Sequence, residues 1–243
     1  MIEKIYLKTL LFLINILDYG NKKRIINYFK NKFFKEKVVI FDIGSHKGDT
    51  VDLFIKNLNV RKIYAFEPNT KLFEKSKKKY FKKENVIINN FALGENNIIL
   101  KLNISKDGYS SSLNEINESS SYFKKKNKII NFFSSSQTFF NDQQIVNVFK
   151  ISKIINDLSL NQIDIIKIDS EGYEFNILKG IETSHFKFIK YIYFEHHYDQ
   201  MLKKKYNFSN INNLLEKNSF KLDYKTKMKF RKSFEYIYVN KNI

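Results

Sequence analysis

The 243 residues contain no cysteine, which excludes disulfides, thiolate metal sites and a cysteine nucleophile. Chemistry must come from carboxylates, histidines, hydroxyls, lysines or a bound cofactor. Only one proline occurs, Pro68, and it closes an apolar run. No apolar run reaches the ~20 residues needed to span a bilayer: "IYLKTLLFLINIL" (residues 5–17) is short and is interrupted by Lys8. No A-x-A-type cleavage site follows it, which argues against a removable signal peptide. The stretch reads as a helix on the flank of the domain. With the basic "NKKRIINYFKNKFFKEK" downstream, peripheral membrane-surface contact stays open. Acidic residues are the minority, 25 against 43 lysines and arginines, for a formal charge of +18. The lysines are scattered through structural stretches rather than shaped into a patch. The charge therefore bears on solubility and non-specific association, and no specific nucleic-acid partner is expected.

Apolar residues make up 43% of the chain and aromatic residues 16%, which suits a globular protein with a sizeable core. We expect a helical extension over 1–36 and one domain over 37–243. "VVIFDIG" is a continuous apolar run ended by glycine, as in a strand covered on both faces of a parallel sheet. "TVDLFIKNL" has helical spacing. "RKIYAFEP" reads as a second strand, followed by a helix capped by Asn69 or Thr70. "NVIINNFAL" reads as a third strand and "NIILKLNIS" as another. A serine-, asparagine- and aromatic-rich insertion spans roughly 104–144, long for a link inside a compact domain and readable as a lid or as disorder. Beyond it come "IVNVFKISKIINDL", the buried strand "IDIIKID", a helix ending near Gly180, and the strand "FIKYIYFEHH". "SFKLDYK" and "FEYIYVN" alternate as a closing antiparallel pair. The expected fold is α/β: a doubly wound, Rossmann-like, mostly parallel sheet with helices on both faces.

Such sheets bind ligands beyond the carboxyl ends of their strands. Asp42, Gly44, Gly48, Glu67, Asp169 and Glu195 all fall at those ends, and a turn-only reading does not explain an acid at so many strand tips. The spacing from Gly44 to Gly48 is G-x-x-x-G with His46 between, not the G-x-G-x-x-G that presses backbone against a pyrophosphate. With Asp42 before it and Glu67 at the end of the next strand, it suits S-adenosylmethionine. That ligand has no phosphate and offers a ribose diol to a carboxylate. A dehydrogenase would want the tighter turn. An RNA ribose methyltransferase and a cofactor-binding protein without catalysis remain alternatives.

Taken in order, "VVIFDIGSHKGDT", "IYAFEPNTKLFEK", "NVIINNFALGENN", "IDIIKIDSEGYEFNILKG" and "YIYFEHH" resemble the motif series of the FkbM family of S-adenosylmethionine-dependent methyltransferases. The resemblance runs from about Val38 to His197. It implies the class I methyltransferase fold and O-methylation, commonly of sugar or polyketide hydroxyls. It implies that Asp42, Gly44, Ser45 and Gly48 line the methionine and ribose end, and that Glu67, next to Pro68, holds the ribose. Asn90, Phe91 and Ala92 would lie near adenine, and Asp169, Glu171 and Glu195 around the reacting methyl. Ile151–Ser152 stands where the family usually has Leu-Asp, and Ser45–His46 replaces the usual Ala-Asn.

Transfer of a methyl to an alcohol is an in-line displacement, aided by alignment and desolvation, and the alcohol must lose its proton to a nearby base. Candidates are Asp169, Glu171, Glu195, His196 and His197; histidine is the natural base near neutral pH. Glu174 reads as a brace for its turn. Asp169, Glu171 and Glu195 are hard oxygen donors that would suit Mg²⁺, though no metal ligands are assigned. The segment Tyr109–Phe140 is the expected acceptor lid. The expected protein is a cytoplasmic O-methyltransferase acting on a small-molecule or glycan acceptor.

Overall fold

The computed structural model describes residues 2–106, 111–132, 139–229 and 231–243. Helix α1 (Ile2–Lys32) leads into β1 (Lys37–Ile43), α2 (Asp49–Asn57), β2 (Asn59–Phe66), α3 (Thr70–Lys79) and β3 (Val86–Asn89). After β4 (Ala92–Gly94) and β5 (Ile98–Ser105) come α4 (Ser121–Ile130), β6 (Phe140–Lys150), α5 (Ile151–Asp157) and β7 (Ile163–Ile168). The chain finishes with α6 (Glu174–Lys179), a 3-10 turn, β8 (Ile189–His197), α7 (Phe208–Lys217), β9 (Phe220–Lys227) and β10 (Ser233–Asn240).

The main sheet has seven strands in the order β3-β2-β1-β7-β8-β10-β9. The first five run parallel, and β10 is antiparallel to both β8 and β9. Strand order reverses between β1 and β7, where Asp42 pairs in register with Lys167; this is the switch point at which open α/β sheets place their ligands. The expected doubly wound sheet and its closing pair are both present.

One expectation needs correction. "NVIINNFAL" is not one strand: Val86–Asn89 completes the main sheet, whereas Ala92–Gly94 pairs with β6 in a separate three-stranded sheet of order β4-β6-β5. The break falls where Asn90 turns its amide onto the carbonyls of Glu67 and Pro68, at 3.0 and 3.1 Å. "NIILKLNIS" forms a strand, as expected, and joins this small sheet antiparallel to β6.

The described residues of the insertion over 104–144 include a helix and a strand. Its α4 starts with a Ser120 cap, and its Phe123 and Ile130 pack with Phe139, Met201 and Leu202 in a small core of their own. Tyr109 lies outside the described residues.

The helical extension does not stand apart from the domain either. Ile25, Ile26 and Phe29 of α1 and Phe33 just past its end fill one face of the sheet with Val51 and Phe54 of α2, against Val38, Ile40, Ile165 and Tyr191. The opposite face is covered by α5, α6 and α7 through Ile151, Ile155, Ile177, Leu178, Ile211 and Leu215. Earlier in α1, Phe12 and Leu13 are exposed. Among the described residues, no helix is long and apolar enough to cross a membrane. Replacing fully buried Phe29 by alanine should cost about 3–5 kcal/mol in denaturant unfolding, whereas Phe12→Ala should leave the midpoint unchanged. Equal effects would show that the C-terminal part of α1 is not core.

Candidate active site

The strand tips converge on a bent loop. The N–H groups of Gly44 and Ser45 both donate to the Phe66 carbonyl, at 3.0 and 3.1 Å, so the end of β1 is tied to the end of β2. Gly44 has φ 77°, and a Cβ there would lie 1.9 Å from the Asp169 carbonyl oxygen. Only glycine allows β1 and β7 to meet so closely. Gly48 caps α2 at φ 80°, with the Tyr80 hydroxyl donating to its carbonyl at 2.7 Å. Here a Cβ would lie 2.3 Å from that hydroxyl oxygen, so this second glycine shapes the loop and does not itself line a cavity.

Two cavities open on this loop. The first is about 720 Å³, counted out to its mouth, and lies over β1, β2 and β7. Its floor includes Gly44, Pro68, Ala92, Leu93 and Tyr173, and its polar wall is Glu67, Asp169 and Glu171. Ser111 and Leu113 of the insertion close one side. Among the described residues, no lysine or arginine lines it, although the chain carries 43 of them. The second cavity, about 940 Å³, lies on the α1 side of the sheet and shares Gly44, His46, Asp169 and Glu171 with the first. Ser45 and Glu195 line only this one.

Glu67 is almost fully buried and accepts hydrogen bonds from the backbone N–H groups of His46 (2.7 Å) and Asn69 (2.8 Å). Burial pushes its carboxyl up to about 7, and those two donors hold it back from rising further. Glu171 has φ 48°, an uncommon conformation for a non-glycine residue. Its carbonyl takes a 2.7 Å bond from the Ser112 hydroxyl. Burial lifts Glu171 to about 7 against the opposing charge of His197. Glu174 braces this turn, accepting from the Gly172 N–H at 2.8 Å and from the Tyr206 hydroxyl at 2.6 Å.

Lys167 is a buried cation between two carboxylates, 3.0 Å from Asp42 and 3.6 Å from Asp169. Burial works against its charge, but the two acids hold its pKa above the usual lysine range. Burial would also raise Asp169, yet Lys167, His197 and Arg231 keep it below the usual carboxylate range.

Several expected positions need correction. Asp42 is fully buried and faces Lys167, so it lines neither cavity and acts on the loop from beneath. Asn90 ties the loop after β2, and Phe91 packs on Phe66 and Phe149; neither lines a cavity, whereas Ala92 does. His196 is directed away from the acids. Along β8 side chains alternate, so Glu195 and His197 share one face, while His196 sits against Tyr198, Tyr206 and Phe208. His197 lies 3.7 Å from Glu171, 3.5 Å from Glu195 and 3.6 Å from Asp199. Burial disfavours its charge, but the surrounding carboxylates raise its pKa to about 10. Ser152, in the place of the usual aspartate, is buried against His185 at 2.7 Å and lines neither cavity. Among the described residues, no group of three or more histidines and acids is arranged to hold a metal ion.

Sequence reasoning missed Asp18, Lys22, Arg231 and Glu235, which line the second cavity. Glu235 carried a signal, an acid at an inward position of an alternating strand. Asp18 and Arg231 carried none, because α1 and the β9–β10 hairpin bring them in from opposite ends of the chain.

The sheet order and the cleft at its switch point define a class I methyltransferase fold. A model of the methyltransferase FkbM domain matches residues 42–222, so the chain belongs to the FkbM family of S-adenosylmethionine-dependent methyltransferases. Its fold is similar to that of the FkbM methyltransferase from Methylobacillus flagellatus KT, with TM-score 0.50 and 15% identity. The alignment covers 83% of this chain and 44% of that one, so this chain spans under half the length of that protein. A weaker similarity, TM-score 0.49 at 7% identity, is to magnesium protoporphyrin IX methyltransferase of Synechocystis PCC 6803 with bound S-adenosylmethionine, over 93% of this chain and 81% of that one. No curated protein sequence matches.

The seat of His196 has a pH consequence. Burial lowers its pKa to about 3, whereas an unfolded histidine protonates near ~6.5. Its stabilising contribution is therefore present above about pH 6.5 and lost as the pH falls toward 3. His196→Phe should still bind S-adenosylhomocysteine, and its melting-temperature difference from wild type should shift in its favour from pH 7 to pH 4. A pH-independent difference, or lost ligand binding, would return His196 to the site.

Proposed function

We propose that the chain is an O-methyltransferase that binds S-adenosylmethionine in the first cavity and methylates a hydroxyl of a sugar, in a glycan or glycan precursor, presented from the second. The observation that carries the cofactor assignment is the charge of the first cavity's wall: among the described residues, three carboxylates and no lysine or arginine. A dinucleotide pyrophosphate would find no counter-charge there, whereas a sulfonium and a ribose diol both suit carboxylates. When bound, the cofactor supplies an electrophilic methyl on a positively charged sulfur.

Glu67 is placed to accept from ribose hydroxyls, since each carboxylate oxygen can take a second donor besides its backbone N–H. Ala92, Leu93 and Tyr173 supply the apolar surface for a flat base, and Gly44 lets the backbone come close. Asp169 stays ionised and faces both cavities.

Glu171 is the proposed base. It lines both cavities, and its carboxyl titrates at about 7, close to where a general base works best. His197 keeps its proton at neutral pH, so it serves as the cation that steadies Glu171 and Glu195 rather than as the base. Water exclusion falls to the insertion, whose Ser112 and Asn114 grip the Glu171–Gly172 backbone.

Calorimetric titration with S-adenosylhomocysteine tests the cofactor site. Glu67→Gln should weaken binding by about 10–100-fold, the loss expected for hydrogen bonds to a charged group; unchanged affinity would refute the ribose assignment. For the base, Glu171→Gln should lower kcat by about 10²–10⁴-fold with cofactor affinity little changed. In the wild type, log kcat/KM should rise with unit slope to a plateau near pH 7 as Glu171 loses its proton. A rate independent of pH between 5.5 and 8 would assign the base elsewhere.

A further inference from the structure

The second cavity holds more charge than the proposed chemistry uses. Six carboxylate residues line it against three cationic ones, within a chain whose formal charge is +18. Of the three cations, Lys167 is held by Asp42 and Asp169, and Arg231 by Asp18 at 2.6 Å, leaving Lys22. Glu235 and Glu195 stand directly opposite each other on β10 and β8. Like charges at paired positions are ordinarily destabilising, and both of these are buried.

Their hydrogen bonding is incomplete. Glu235 takes the Tyr193 hydroxyl on one carboxylate oxygen, while its Oε2 is buried with no hydrogen-bond partner. Asp18 is in the same state, with Oδ2 on Arg231 and Oδ1 without a hydrogen bond. Glu195 Oε1 also lacks a hydrogen bond, and meets only the longer ion-pair contacts of His197 Nε2 at 3.5 Å and Arg231 at 3.9 Å. Buried acceptors without donors cost stability, and such groups in a cavity wall point to a ligand that brings donors with it.

We propose that Asp18, Glu195, Arg231 and Glu235 form the acceptor subsite, built for an uncharged, hydroxyl-rich ring such as a neutral sugar unit and closed to phosphorylated or carboxylated acceptors. The inference rests on the methyltransferase reading of the first cavity and adds the acceptor's class. Neighbouring hydroxyls on a sugar ring donate as a pair, which suits the unpartnered oxygens of Glu235 and Asp18. The Arg231 guanidinium has five N–H donors, so after its bond to Asp18 it can still donate to a ring hydroxyl oxygen. A phosphate would meet Glu195 and Glu235 at close range; burial lifts the Glu235 carboxyl to about 7, so at and above that pH it adds to a like-charge repulsion that is strongest in a desolvated site. That polarity also disfavours the phosphate backbone of RNA.

Saturation-transfer NMR on protein loaded with S-adenosylhomocysteine tests this, using methyl glycosides of neutral hexoses and 6-deoxyhexoses beside the matching hexose 6-phosphates. At least one neutral glycoside should bind saturably and more tightly than its phosphorylated counterpart. Its affinity should fall about tenfold or more in both Glu235→Gln and Glu195→Gln, as expected for lost bonds to a charged acceptor, while calorimetry on the same variants gives an unchanged S-adenosylhomocysteine affinity. Tighter binding of the phosphates, glycoside binding indifferent to both substitutions, or no binding by any neutral glycoside would each overturn the proposal and leave the cofactor site standing. Failure of wild-type protein to bind S-adenosylhomocysteine would instead overturn the reading beneath it.

Discussion

One buried cation organises this site. Lys167 projects from near the carboxyl end of β7 and reaches Asp42 on β1, Asp169 just past its own strand, and the Gly44 carbonyl at 3.2 Å. A lysine removed from water is costly to keep charged; two flanking carboxylates and a carbonyl offset that cost. The result is a cross-link at the switch point of the sheet, beneath the loop that bears Gly44. The close approach of Gly44 to the Asp169 carbonyl depends on it, and so does the meeting of the two cavities at Asp169.

From that cross-link the carboxylates sort into different states. Asp169, beside Lys167, is held ionised. Glu67 and Glu171 are dominated by burial and titrate near neutrality. Acids of similar intrinsic strength thus become a fixed negative charge and a proton acceptor through their surroundings alone, as expected where one site must both attract a cation and accept a proton. His197 belongs to the same network, protonated because Glu195 and Glu171 surround it.

The main sheet was legible because its strands are short apolar runs closed by glycine, proline or an acid, and because helical spacing recurs between them. The acids at the strand tips were legible for the same reason: a buried strand that ends in a charged residue has reached the edge of the core. The break at Asn90 was not legible, since "NNFAL" continues the apolar pattern while a side-chain amide redirects the backbone. The choice between His196 and His197 could have been read from period-two alternation, once Glu195 was taken to face the site. The acidic wall of the second cavity was out of reach. Asp18 and Arg231 are 213 positions apart, and only the crossing of α1 over the sheet edge beside the closing hairpin brings them together.

That crossing explains why α1 is part of the domain. Its last turn buries Phe29, and Phe33 just past it, against the sheet, which fixes the helix axis and places Asp18, about three turns earlier, against Arg231. The same face of the sheet that gains stability from Phe29 therefore gains an acidic wall from Asp18. A cavity bounded by a helix from one end of the chain and a hairpin from the other is set by tertiary packing. The first cavity differs in origin, since the loops that follow individual strands build most of it. Changes in α1 and the hairpin would therefore reshape the second cavity while leaving the Lys167 cross-link, and the strand-and-loop geometry of the first cavity, in place.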